Sequence, residues 1–317
     1  MPTALITGVT GQDGSFLAEQ LLADGYRVVG IHRRLSADNH WRIAHLDELE
    51  LRSADLLDLS SLMMVMDDVK PDFIFNLAAQ SFIPTSWEQP LLTGEVTALG
   101  ALRVLEAFRR AAPKARFYQA SSSEMFGATT ASPQNEKTPF NPLSPYAVAK
   151  VYAHQMAVNY REAHGLHVVC GILFNHESER RGMEFVTRKI TDGVARIKRG
   201  QSDVLELGDL SPRRDWGFAA DYTRGMAAML LQDQPRDYVL ASGVDRSVED
   251  FVAAAFDAVG LDWQDHVRQN SALFRQNELP CLQGDASTAR QVLGWEPELS
   301  FKDLVQRMVQ ADLERVG

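Results

Sequence analysis

The chain has 317 residues and 45% apolar content, enough to bury a sizeable core in one large or two modest domains. Its formal net charge of −10 excludes nucleic acid and an anionic membrane as main partners, since both want a basic face, and makes any anionic ligand depend on a local basic pocket. Cys170 and Cys281 are far apart and lack metal-ligand spacing, which predicts free thiols in a reducing cytoplasm, with neither a disulfide framework nor a metal site.

The first apolar run, Thr3–Thr7, reads as a strand, and the stretch from Ala4 to Thr7 is too short for a signal peptide or membrane span. We therefore expect a cytoplasmic protein. Gly8, Gly11 and Gly14 follow in G-x-x-G-x-x-G spacing and open the first helix. Glycines there permit a tight turn and close approach of backbone N–H groups to a pyrophosphate, although an ordinary glycine-rich turn has the same spacing. A second strand, Arg27–Ile31, leads into Ile31-His32-Arg33-Arg34 rather than a carboxylate. A carboxylate would accept from a ribose diol, whereas arginines pair with a 2′-phosphate, so this strand end favours NADP over NAD. Arg33 and Arg34 also fit a solvated surface or a subunit contact.

Further buried-strand patterns recur at Asp72–Leu77, Ala115–Ala120 and His167–Leu173, separated by helix-length amphipathic segments. This alternation predicts an α/β fold: a doubly wound, Rossmann-like parallel sheet with ligands at the carboxyl ends of its strands. Ser144-Pro145-Tyr146-Ala147-Val148-Ala149-Lys150 supplies a helix cap, a proline suited to the first helical position, and a phenol and an ammonium four residues apart on one face. An ammonium near a phenol favours phenolate, so the pair is a candidate base; a solvated helix face has the same spacing.

After Leu173 the regularity weakens. Polar, arginine-rich stretches at Asn175–Gly182 and Gly208–Gly217 precede helical patterns at Ala219–Gln232, Val248–Val259 and Phe301–Leu313. We read these as a smaller, interleaved C-terminal α/β substrate lobe. The expected division is residues 1–173 plus about 212–241 for the dinucleotide half, and about 174–211 plus 242–317 for the lobe, with a cleft between.

Several segments together resemble the extended short-chain dehydrogenase/reductase superfamily and, within it, the GDP-mannose 4,6-dehydratase family. They are the run from Ala4 to Gly14, Asn76-Leu77-Ala78-Ala79-Gln80-Ser81, the run from Phe117 to Gly127 and that from Ser144 to Lys150. Val158-Asn159-Tyr160-Arg161-Glu162, Leu173-Phe174-Asn175-His176-Glu177-Ser178, Phe185-Val186-Thr187-Arg188-Lys189 and Arg214-Asp215-Trp216-Gly217 complete the match, which runs nearly end to end. The glycine and Tyr/Lys motifs define the superfamily only; the Asn-His-Glu-Ser and Arg-Asp-Trp segments are narrower.

The resemblance implies that Ser122, Glu124 and Tyr146 do the chemistry, with Lys150 holding Tyr146 and the nicotinamide ribose. It implies NADP contacts from Gly8, Thr10, Gly11, Gln12, Asp13 and Gly14, from Arg33, Arg34 and Ser36, from Asp55 and Leu56, and from Leu77, Ala78, Ala79 and Ser81. Tyr146, Lys150, His176 and Arg181 complete that set. For a GDP-sugar it implies Ser81, Ser122, Glu124, Asn175, Lys189, Arg214, Arg275 and Glu278. It further implies pairing of subunits through the segment from Arg33 to Arg42, hence a homotetramer, with a dimer as the fallback.

The chain departs from the family pattern at three places. Ser121-Ser122-Ser123-Glu124 stands where Ser-Thr-Ser-Glu is usual, which keeps a hydroxyl but frees its rotamer. Glu179 replaces a usual proline beside Arg180 and Arg181, and is expected to let the loop move or to add negative charge near the diphosphate. Arg275-Gln276-Asn277-Glu278 lacks a usual proline turn. Rival readings are a reductase, an epimerase, a dehydratase for a related GDP-sugar such as a heptose, or a non-enzymatic NADP-binding regulator. The regulator should have lost Tyr146, Lys150 or Glu124, and all three are present.

Overall fold

Seven strands form one parallel sheet because their apolar runs are covered by helices on both faces. In chain order the strands of the protein are β1 (Thr3–Thr7), β2 (Arg27–His32), β3 (Glu50–Ser53), β4 (Phe73–Asn76), β5 (Arg116–Ser122), β6 (Val168–Leu173), β7 (Asn175–Glu177), β8 (Leu205–Leu207), β9 (Arg213–Phe218), β10 (Asp237–Leu240), β11 (Asp245–Ser247), β12 (Val267–Gln269) and β13 (Cys281–Leu282). The computed structural model describes residues 1–34, 39–274 and 281–317. The large sheet runs in the order β10-β6-β5-β4-β1-β2-β3. Five of these strands coincide with the predicted runs to within a residue or two. The edge strands β3 and β10 were not predicted as strands: they are four residues long, and β3 reads Glu-Leu-Arg-Ser.

The helices are α1 (Gln12–Ala23), α2 (Leu59–Val69), α3 (Ile83–Glu88), α4 (Pro90–Thr93), α5 (Gly100–Ala111), α6 (Pro145–His164), α7 (Val186–Lys198), α8 (Ala219–Leu230), α9 (Val248–Asp257), α10 (Trp263–His266), α11 (Ser287–Leu293) and α12 (Phe301–Val316). A π-helical turn, Gly94–Leu99, joins α4 to α5. Among the described residues no helix is long and apolar enough to cross a membrane.

The strand order reverses between β1 and β4, and the crevice of a doubly wound sheet opens at such a switch point. A buried polar ladder floors that crevice. Thr7 Oγ1 donates to Asn76 Oδ1 at 2.8 Å, and Asn76 Nδ2 donates to Gln119 Oε1 at 2.9 Å. Thr7 Oγ1 also accepts the N–H groups of Leu77 and Ala78, each at 3.1 Å, which turns the chain outward after β4. Polar groups at this depth persist because each finds a partner.

Beyond β6 the chain leaves the large sheet. β7 pairs with β9, which also pairs with β11 and β13, while β8 pairs with β12. The arginine-rich stretches read as irregular thus contain the short strands β7 and β9. Helices α7, α9 and α12 close this lobe over a core that includes Ile190, Val194, Trp216, Phe218, Phe251, Leu304 and Met308. Between visits to the lobe, α8 packs back on α1, where Gln20 Nε2 donates to the Ala220 carbonyl at 2.9 Å, and β10 completes the large sheet. The two crossings put residues from both parts on one cleft.

Candidate active site

The glycine loop lies against the chain leaving β4. Gly8 has φ +74°, and a Cβ added there would lie 2.9 Å from the backbone of Ala78. A Cβ on Gly14 would lie 2.3 Å from the Gly8 carbonyl oxygen. Only glycine lets the first turn of α1 sit this close to the strand end, so the start of the helix opens toward the cleft. Gly11 is the N-cap and supplies no side-chain acceptor. The cradle suits the pyrophosphate of a dinucleotide, which would take up helix N–H groups that no side chain caps.

The helix start anticipated at Ser144 is present: Ser144 Oγ accepts the Ala147 N–H at 3.1 Å, and α6 begins at Pro145. Tyr146 and Lys150 share one face of it, and both are buried rather than solvated. Lys150 Nζ donates to the Ala120 carbonyl at 2.8 Å, fastening α6 to the end of β5. Next along β5, Ser122 hydrogen-bonds Tyr146, and its Oγ accepts the Glu124 N–H at 3.3 Å. The serine that was expected to have a free rotamer is therefore held by the turn after β5.

The protonation of this group differs from the expectation. Burial pushes the Tyr146 phenol up to about 12, and the nearby Glu124 charge adds to the rise against the lowering effect of the Ser122 hydrogen bond. Burial also brings the Lys150 amine down to about 8, with Asp13 opposing. The ammonium lies 5.8 Å from the Tyr146 ring centroid and points at Ala120, so in the protein alone desolvation outweighs its support of a phenolate.

On the far wall, the segment from Asn175 to Arg181 crosses between the lobes. Asn175 Oδ1 is buried and unpartnered, a group that a ligand donor would satisfy. His176 bonds Asp13 at 2.9 Å, and Thr187 Oγ1 donates to Glu177 at 2.6 Å. The Arg181 guanidinium lies over the Phe185 ring at 3.6 Å and 3.1 Å from Glu177. Glu179 does not turn toward the diphosphate end of the cleft: it forms a two-pronged pair with Arg307 of α12 at 2.8 and 3.0 Å, so the loop is clasped rather than loosened.

The glycine loop, the end of β5, the Tyr146/Lys150 face and much of the crossover segment border one cleft of about 1020 Å³. Gly8, Thr10, Gly11, Gln12, Asp13, Gly14, Arg33, Asp55, Leu56, Leu77, Ala78, Ala79 and Ser81 line it, with Ser122, Glu124, Tyr146, Lys150, Asn175, His176, Arg181, Lys189 and Arg214. Arg34 is exposed and does not line it. Ser36, Arg275 and Glu278, with the Gln276-Asn277 departure, lie outside the described residues. Arg33, Arg181, Lys189 and Arg214 give the cleft cations for an anionic ligand, among the carboxylates Asp13, Asp55, Glu124, Glu177, Glu184 and Asp209.

Sequence reasoning missed several lining residues. Phe82 and Phe185 meet edge to face at 5.5 Å, and His40, Glu184, Val248 and Phe274 also reach the cleft. The π-helical turn places Val96 on the cleft and sets Thr97 Oγ1 to accept the Gln80 N–H at 3.1 Å. No spacing announces these, because long-range packing places them.

A family profile described as GDP-mannose 4,6 dehydratase matches residues 5–308. The chain is 51% identical to GDP-mannose 4,6 dehydratase 2 of Arabidopsis thaliana, over 98% of this chain and 87% of that one. It is 48% identical to the GDP-mannose 4,6-dehydratase of Sinorhizobium fredii, over 98% and 96%. Among solved structures, the dTDP-glucose 4,6-dehydratase of Bacillus anthracis in complex with NAD superimposes with TM-score 0.85 at 20% identity, covering 98% of this chain and 96% of that one. RMD from Pseudomonas aeruginosa, complexed with NADPH, gives 0.82 at 23% identity over 99% and 100%. At these identities the structural likeness concerns the fold.

Proposed function

The chain belongs to the GDP-mannose 4,6-dehydratase family, and we propose that its cleft performs that reaction with Ser122, Glu124, Tyr146 and Lys150 as the catalytic group. The enzyme is a nucleotide-sugar 4,6-dehydratase, a hydro-lyase, and its substrate is GDP-mannose. The observation that carries the residue assignment is the meeting of β5 and α6: one buried Tyr/Lys face lies under a serine and a carboxylate, in the same cleft as the glycine cradle.

The cradle fits a nicotinamide dinucleotide, which the glycine loop, Asp55, Leu56, the Leu77–Ser81 turn, Lys150 and Arg181 would hold. When bound, it accepts a hydride from the sugar and returns it, so no net oxidation results. We assign NADP specifically because β2 ends at His32 and is followed by Arg33 on the cleft, with no carboxylate there to favour an unphosphorylated ribose. Affinity for NAD equal to that for NADP would remove this assignment.

The Tyr146 phenol, neutral in the protein alone, must ionise once the ligands are bound; as phenolate it takes the proton of the sugar 4-hydroxyl while Ser122 hydrogen-bonds the same oxygen, and with the C4 hydride given up a 4-ketone results. That ketone acidifies the C5 hydrogen, and Glu124 removes it. Glu124, now protonated, returns the proton to the departing C6 hydroxyl, which leaves as water across the new C5–C6 double bond. Tyr146 then gives a proton to C5 as C6 takes back the hydride that the bound dinucleotide would hold, giving GDP-4-keto-6-deoxy-mannose. A reductase or epimerase needs the serine, tyrosine and lysine, but has no step that requires Glu124. Asn175, Lys189 and Arg214 would hold the nucleotide sugar, together with Ser81.

Incubation with GDP-mannose and no added NADPH, followed by mass spectrometry, tests this. Loss of one water from the nucleotide sugar is expected. Unchanged GDP-mannose, with conversion of a GDP-heptose instead, would transfer the same chemistry to another sugar.

We further assign a two-lobed division at the cleft, a cytoplasmic location and a homotetrameric assembly with a dimer as fallback. Trp41 is 56% exposed with the Arg42 guanidinium 4.2 Å over its ring, an apolar surface suited to a subunit contact beside the cofactor. A concentration-independent monomer in light scattering would overturn the assembly.

A further inference from the structure

Asp13 is an awkward residue for the first turn of α1. Free N–H groups and the helix dipole make that end favourable for a diphosphate, and a carboxylate among them repels one. The structure gives this carboxylate a partner from far along the chain. His176 Nε2 lies 2.9 Å from Asp13 Oδ2, and His176 Nδ1 lies 2.7 Å from the Phe174 carbonyl oxygen. A carbonyl and a carboxylate only accept, so both ring nitrogens carry hydrogen and the ring is an imidazolium.

The surroundings fix the pair in place. The His176 ring stacks on Tyr222 with centroids 4.7 Å apart and planes at 21°. Gln12 Nε2 donates to Asp13 Oδ1 at 3.1 Å and to the His176 carbonyl at 3.0 Å, while Ser178 Oγ donates to Gln12 Oε1 at 2.8 Å. The result is a bridge between the glycine loop and the crossover segment, on the wall of the cleft.

We propose that His176 is a positioning residue whose imidazolium cancels the Asp13 carboxylate, so that the end of α1 presents no net negative charge to the dinucleotide diphosphate. This rests on the reading of the cleft as a nicotinamide-dinucleotide site. The electrostatics agree in direction. Burial alone would favour the neutral form of each group, yet the His176 charge and hydrogen bond hold Asp13 at about 2, and Asp13 raises His176 above its ordinary range. The other groups facing the pair are Arg181 from the crossover segment, Tyr222 from α8, Tyr118 from β5, and Tyr146 and Lys150 from α6. Arg181 supports the carboxylate and opposes the imidazolium, while in the dinucleotide-free protein burial keeps the three tyrosines neutral across the physiological range. Dinucleotide affinity is therefore full while His176 is charged and falls as pH rises past its elevated pKa, where Asp13 is unmasked.

The test is NADPH binding, followed by fluorescence, for the wild type, His176→Asn, and the double variant Asp13→Asn with His176→Asn. The single variant should bind at least about tenfold more weakly, because one uncompensated charge then faces the diphosphate at low dielectric, and the double variant should recover most of that loss. Equal weakening of single and double variants would overturn the proposal, since a direct contact or a structural brace is not restored by removing Asp13. If His176→Asn does not fold, Asp13→Asn alone decides: NMR titration of His176 in the dinucleotide-free protein should show its pKa falling, and an unchanged titration would overturn the pairing. A wild type that bound no nicotinamide dinucleotide would overturn the cofactor assignment instead, and the same titration would still decide the pair.

Discussion

Two clusters of buried polar groups, one in the lobe and one on the cleft, are finished differently. In the lobe, Arg188 of α7 meets Asp312 of α12: its Nε lies 3.0 and 2.9 Å from the two carboxylate oxygens, and a terminal nitrogen lies 2.7 Å from Oδ1. Thr191 and Arg315 donate to the same carboxylate at 2.7 and 3.0 Å, and the remaining Arg188 nitrogen donates to the carbonyls of Glu179 and Arg181. On the cleft, Lys150 donates to a single carbonyl and Tyr146 meets the Ser122 hydroxyl, so burial moves them to about 8 and about 12. A buried charge with saturated partners holds structure; one left partly unpartnered keeps a protonation state that a ligand can change.

The largest expected effect lies on the cleft side. Glu124→Gln should lower kcat by about 10²–10⁴-fold, the usual weight of a general base, with the melting temperature nearly unchanged. Tyr146→Phe should fall as far, but at an earlier step. With GDP-mannose, Glu124→Gln should therefore accumulate the near-ultraviolet absorbance of reduced dinucleotide, and Tyr146→Phe should not. Accumulation in both would place Tyr146 outside the first proton transfer.

Stability should separate the clusters by sign. Arg188→Met strands the Asp312 carboxylate in the lobe core and should cost about 3–5 kcal/mol in denaturant unfolding. Lys150→Met should do the reverse. The folded pKa of Lys150, about 8, lies below the ordinary 10.5, so folding disfavours its charged form. That cost is complete below about pH 8 and is relieved as pH rises toward 10.5. At neutral pH the methionine variant should gain up to roughly 3 kcal/mol, less whatever the Ala120 bond contributes, while losing activity. Destabilisation by both substitutions would erase the distinction between the clusters.

Much of the cleft side was legible because its signals are local. The glycine spacing, the Ser144-Pro145 helix start and the four-residue step from Tyr146 to Lys150 each sit within one turn and survive folding as written. The five central strands were legible because burial on both faces makes them continuous apolar runs. The edge strand β3 is partly exposed and lacks that signature, whereas β10 is buried but offers only the short apolar run Tyr238-Val239-Leu240. The lobe cluster was illegible for a different reason: Arg188 and Asp312 are 124 residues apart, and a charged residue on an amphipathic helix reads as surface until its partner is found. The Tyr146 pKa was misjudged because spacing reveals the neighbouring ammonium but not the depth of burial.

The smallest effect concerns Glu179, the carboxylate beside Arg180 and Arg181 in the crossover segment. Its pair with Arg307 lies at the rim, with the arginine side chain half exposed, so solvent and salt screen it. Glu179→Ala should cost no more than about 1 kcal/mol, and less in high salt. Its effect on the KM for GDP-mannose should stay within a few-fold, because Arg188 would still hold the Glu179 and Arg181 carbonyls from inside and keep Arg181 on the cleft. Arg188→Met should disturb that KM more than Glu179→Ala does, measured at a temperature where both are folded. If the rim variant has the larger effect, the outer clasp positions the crossover segment, and the buried pair serves only to close the lobe.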